Sequence, residues 1–134
     1  MKINEVLIFR VPNQIHPYPT MLPSQGVAII CDFLLKNNIN SFVHDIADIL
    51  DIQDRCDILG RIRSIGNKDS TLEDYLDGNG QFDDYFHSLT SKVNLYRFSV
   101  VLISVEAVSP LSTIVAVLLG KYIKKINSKI VIIL

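Results

Sequence analysis

Phe98-Ser99-Val100-Val101-Leu102-Ile103-Ser104-Val105 is an almost unbroken apolar run, and Glu106-Ala107-Val108 carries it into Ser109-Pro110 and a second apolar stretch. A strand with one face in water alternates apolar and polar residues. A strand covered by helices on both faces does not need to, so this run predicts a buried strand of a parallel sheet. Serine followed by proline is an N-cap with proline at the first helical position, which starts a helix running to about Ile126. That helix is apolar around most of its circumference as far as Leu119, so it is expected to be well buried.

Three further runs have strand character: Val6–Val11, Ser41–Ile46 and Lys129–Leu134. The first and last are again near-continuously apolar. Between the first two, Gln25–Asn37 places Val27, Ile30, Cys31, Leu34 and Leu35 on one helical stripe that stops at Asn37-Asn38. Residues 47–97 form an excursion about twice the length of an ordinary crossover. Ile58, Leu59, Ile62 and Ile65 have helical spacing, Ser70-Thr71-Leu72-Glu73 has that of a capping box, and Phe82, Tyr85, Phe86, Leu89 and Val93 form a third stripe. The order β-α-β, helical excursion, β-α-β predicts an α/β domain: an open parallel sheet of about four strands with helices on both faces. The last strand reaches Leu134, and a bare apolar strand at a terminus exposes an edge, so the chain is expected to be part of a longer protein, cut after that strand.

Composition narrows function by exclusion. Thirteen basic and fourteen acidic residues give a net charge of −1, which has no long-range attraction for a nucleic acid backbone. The cluster Lys121, Lys124, Lys125 and Lys129 surrounds a helix end, where cations complement the dipole. Cys31 and Cys56 lie within apolar helical patterns without metal spacing, as buried free thiols of a reduced compartment would. No apolar run reaches the roughly 20 residues that span a bilayer, and Glu5 precedes a short apolar run at the start, unlike a signal peptide. A cytoplasmic protein that binds neither membrane nor nucleic acid is expected.

In an open parallel sheet, ligands bind beyond the carboxyl ends of the strands where the strand order reverses. That rim comprises residues 12–23, 45–48 and 105–109. Its first segment holds four prolines in twelve residues, with Pro12, Asn13, Gln14, His16, Tyr18 and Thr20 as candidate contacts. Proline keeps such a segment extended and stiff, which suits a large flat ligand and equally suits a long tidy connection. On the third strand and its loop, Ser104, Val105, Glu106 and Ser109 are the candidates; the helix start there could hold a phosphate or amide oxygen, though Ser109 also serves as cap. His16 is the one rim histidine, and a single loop histidine is more often neither ligand nor proton carrier. His44 and His87 read as structural or surface groups. Asp77–Asp83 has a superficial calcium-loop spacing, but Phe82 stands where a glycine turn is needed and Ser88 where a bidentate Glu belongs. Glycine-rich phosphate motifs and catalytic triads are absent from the sequence, so no catalytic residue is assigned.

The succession Val6–Val11, Pro-rich segment, Gly26–Lys36, Val43-His44-Asp45, Tyr75-Leu76-Asp77-Gly78, and Val101–Val105 followed by Ser109-Pro110-Leu111 resembles the N-terminal cobalamin-binding-like, Rossmann or flavodoxin-like domain of radical S-adenosylmethionine enzymes. The resemblance covers nearly the whole chain. It implies a corrin held at the sheet rim by residues 13–20 and 104–109. It also implies a downstream radical domain that carries the iron-sulfur cluster and S-adenosylmethionine. Gln14-Ile15-His16-Pro17-Tyr18-Pro19 keeps the His of the Asp-x-His-x-x-Gly of cobalamin-dependent methyltransferases and mutases, their lower cobalt ligand, without the Asp or Gly; radical enzymes of this type often bind cobalamin without that His. Lacking the Asp, the motif offers His16 no obvious partner to orient it. Glu106 replaces the Leu of the family's Ser-x-Leu. The three-cysteine cluster motif is absent, so the chain by itself is expected to be non-catalytic. The alternative is a cofactor-free docking module of the same fold.

Overall fold

Val6, Leu7 and Ile8 of the first strand stand in register with Val100, Val101 and Leu102 on one side and with Ser41, Phe42 and Val43 on the other. The computed structural model describes residues 3–11, 25–46, 82–105 and 110–134. Four strands, Glu5–Arg10 (β1), Asn40–Asp45 (β2), Val100–Ser104 (β3) and Val131–Ile133 (β4), pair in parallel in the order β2-β1-β3-β4. Three α-helices are described: Gln25–Lys36 (α1), Asp83–Thr90 (α2) and Pro110–Ile126 (α3), with a 3-10 turn at Leu95–Arg97. This is the Rossmann or flavodoxin-like α/β architecture expected from the apolar runs, with strand bounds displaced by one or two residues, while the helix expected from the Phe82–Val93 stripe ends at Thr90, three residues short of Val93. The calcium-like spacing, the Tyr75–Gly78 element, the stripes at 58–65 and 70–73, and Cys56 lie outside the described residues.

The pleat divides the strand residues between two cores. Leu7, Phe9, Val101 and Ile103 face α2 and α3, where Phe86, Leu89, Val115, Leu119 and Ile123 are buried with them. Val6, Ile8 and Val100 face α1 and meet Val27, Cys31 and Leu34. Both faces of β1 and β3 are therefore covered, which is why their sequences do not alternate. Helix α3 is buried as its composition predicts: Val115, Ala116, Leu118, Leu119, Tyr122 and Ile123 all lie in the core.

Helix α1 departs from its expected stripe. Val27, Cys31 and Leu34 follow the i, i+4, i+7 line against the sheet, whereas Ile30 lies at its margin and Leu35 is 67% exposed. The Cys31 thiol is free and half-buried rather than fully enclosed. The helix stops where expected. Asn38 takes φ 58°, which asparagine tolerates better than most residues, while Ile39 N–H donates to the Leu34 carbonyl and Asn38 N–H to that of Leu35. This pair of bonds is a Schellman cap, and Leu34 and Ile39 both pack against the core on the α1 side.

At the amino edge of the sheet Arg97 ties three strands together. Its guanidinium donates to Glu5 of β1 at 2.6 Å and lies 4.4 Å from the ring centroid of Phe42 on β2, next to Phe98 ahead of β3. Hydrogen bonding by Arg97 holds the Glu5 carboxyl below its ordinary value. The lysine cluster behaves as a helix end: Lys124 donates to the Ser128 carbonyl and Lys125 pairs with Asp83 of α2.

Candidate functional site at the carboxyl edge of the sheet

Topology places the site. The chain goes from β1 through α1 to β2 on one side of the sheet, and from β3 through α3 to β4 on the other. Because α1 and α3 cover opposite faces, the two connections leave the β1–β3 seam in opposite directions. A crevice opens at such a reversal, beyond the carboxyl ends of the strands.

Three polar residues mark that edge. Arg10 ends β1, Asp45 ends β2 and Ser104 ends β3, and the register sets Arg10 directly between the other two. All three follow the phase of Val6 and Ile8, toward α1. Arg10 Nη1 donates to Asp45 Oδ2 at 2.6 Å, with side chains only 11% and 20% exposed. Ser104 is half-buried, and its hydroxyl has no hydrogen-bond partner among the described residues. Val105, next along the chain, packs partly against the α2–α3 core.

Of the residues singled out in the sequence, Ser104 and Val105 lie at this edge. Pro12, Asn13, Gln14, His16, Tyr18, Thr20, Glu106 and Ser109 lie outside the described residues. Arg10 was not among the candidates, yet it had a signal. A charge inside an apolar run that is buried on both faces needs a counter-charge, and Asp45 ends the strand expected beside it. His44 is structural: Nε2–H donates to the Leu89 carbonyl at 2.8 Å, and the ring meets the edge of Phe9. His87 shares a hydrogen bond with Tyr122 Oη across α2 and α3. Among the described residues, no group of three or more His, Cys, Asp or Glu could hold a metal ion, and no helix is long and apolar enough to cross a membrane.

A cavity of about 470 Å3 between α1 and β2, lined in part by Cys31, Leu35, Ile39 and Phe42, lies toward the amino end of β2. It is at the opposite end of the strands from Arg10 and Ser104 and takes no part in the crevice.

Comparison with family models, with curated proteins and with solved structures gave no match.

Proposed function

We propose that this chain is a cobalamin-binding or cobalamin-binding-like module of a radical S-adenosylmethionine enzyme, non-catalytic by itself. The observation that supports this most is the reversal of strand order at the β1–β3 seam, with a hydroxyl and a guanidinium beside it. A nucleotide-bearing corrin has peripheral amides and a phosphodiester, groups that a serine hydroxyl and an arginine charge suit. In this reading Ser104 donates to an amide or phosphate oxygen beside the Arg10–Asp45 ion pair. Residues 13–20 and 105–109 contact the remainder, and His16 is the candidate lower ligand. A bound corrin supplies a cobalt centre able to carry a methyl group. The iron-sulfur cluster and S-adenosylmethionine belong to a downstream radical domain. Titration of the purified protein with hydroxocobalamin tests the reading. The expected result is a change in the corrin absorbance bands, with corrin retained through gel filtration; an unchanged spectrum and no retention would discard it.

A second reading, a cofactor-free docking module of this fold, draws on a different observation. Ile29 and Phe33 of α1 are 69% and 64% exposed, and Val131 and Ile133 of the edge strand β4 are about half exposed. If the protein takes up no corrin, and a partner protects residues 12–23 from hydrogen exchange, this reading replaces the first.

A further inference from the structure

We infer that this chain forms a two-fold dimer in which the outer stripe of α1, Ile29 and Phe33, seats in the trough between α1 and β4 of a second copy. The contact depends on neither reading above, because it uses one face of the sheet and not the crevice at its carboxyl edge.

Helix α1 is apolar on two sides. Val27, Cys31 and Leu34 pack on the sheet. Ile29 and Phe33 form an i, i+4 pair on the side turned away from it, and both are about two-thirds exposed. A helix apolar on opposite sides is ordinarily enclosed between two layers. Asp32 and Leu35 line the cavity against β2, so Ile30 on the other flank is turned toward β3 and β4. Among the described residues, nothing covers the α1 face of the sheet there. Val131 and Ile133 stand in register with Val100 and Leu102, which face α1, yet both are half exposed. Strand β4 lies two strand spacings from β1, about 10 Å, and packed helices have axes about 8–10 Å apart. The trough is one helix wide. Each copy thus carries an unused helix stripe and an unfilled trough, and a two-fold axis engages both at once. Charge also favours an identical partner. Helix α1 has two charged residues, Asp32 and Lys36, which pair at 2.7 Å, and β4 has none, so two copies of this face meet without net repulsion. Size agrees: Ile29, Ile30, Phe33, Val131 and Ile133 expose about 100 Å2 each, hence about 500 Å2 per copy and about 1,000 Å2 for the pair, the least that a specific interface needs.

Sedimentation equilibrium of the purified protein tests this. The expected result is a reversible dimer with a dissociation constant of about 1–100 μM, as a small interface gives. Phe33→Asp places a charge in both contacts of the pair and should weaken association by at least about tenfold. Ile133→Lys, on the facing surface, should do the same. Leu35→Asp, exposed as much as Phe33 but beside the cavity, should leave association unchanged. Circular dichroism checks that each variant keeps the fold. Where one does not, dilution of the unaltered 15N-labelled protein decides: the amide signals of residues 29–33 and 131–133 should move together on dissociation. A protein monomeric up to about 500 μM, a dimer indifferent to both Phe33→Asp and Ile133→Lys, or dilution shifts confined to other residues would overturn the inference. A monomer that retains hydroxocobalamin, or whose residues 12–23 a different partner protects, removes the dimer and keeps the corresponding reading above. A dimer of this geometry that does neither keeps the contact and removes both readings.

Discussion

Phe9→Ala is expected to destabilise the fold by about 3–5 kcal/mol, a large part of the roughly 5–15 kcal/mol typical of a domain. Phe9 is fully buried at the centre of the larger core, between β1 and the α2–α3 layer. Its ring lies 5.4 Å from that of His44, nearly perpendicular, and His44 in turn holds the carbonyl of Leu89. Truncation therefore opens a cavity and also loosens the link from β2 to α2. Little relaxation is available, because the neighbouring strands are fixed by their ladders. Urea unfolding followed by circular dichroism measures the loss. A cost below about 1.5 kcal/mol would mean that the site can collapse, and that Phe9 does not occupy an enclosed position.

Asp45→Ala is expected to cost about 2–4 kcal/mol, somewhat less than the roughly 3–5 kcal/mol for breaking a fully buried pair, because Asp45 keeps a fifth of its side-chain surface in water. The loss comes from taking a carboxylate partner away from a guanidinium kept from solvent, more than from the hydrogen bond itself. Removing both charges should therefore be milder than removing one. Arg10→Met together with Asp45→Ala is expected to recover at least about 1 kcal/mol of the single variant's loss. A double-mutant cycle by urea unfolding reads this directly, and strictly additive costs would show that the two side chains do not interact.

Much of the scaffold was legible because burial on both faces of a parallel sheet removes alternation, and β1 and β3 carry that pattern without interruption. The start of α3 was written in Ser109-Pro110, and the end of α1 in two asparagines of which Asn38 adopts the left-handed conformation. The stripe on α1 was read too broadly. Periodicity identifies residues on one side of a helix, but the width of the arc that touches the sheet depends on how the helix seats, and Leu35 falls outside it. At the site, Ser104 was legible from its place at the end of an apolar run. Arg10 was legible only through a partner, since its meaning depends on which strand stands beside it. Only the parallel register of β1 with β2 and β3 brings Asp45 and Ser104 to its two sides.

Everything proposed for the crevice depends on β1 and β3 lying side by side and running the same way. Cross-strand nuclear Overhauser contacts between backbone protons of the labelled protein test this most directly. The expected pattern joins Leu7 to Val101 and Val101 to Ile132 with parallel spacing, and brings Arg10 and Ser104 together at one end. Close α-proton pairs alternating between β1 and β3, the mark of antiparallel strands, or contacts placing Arg10 beside Val100, would contradict the account.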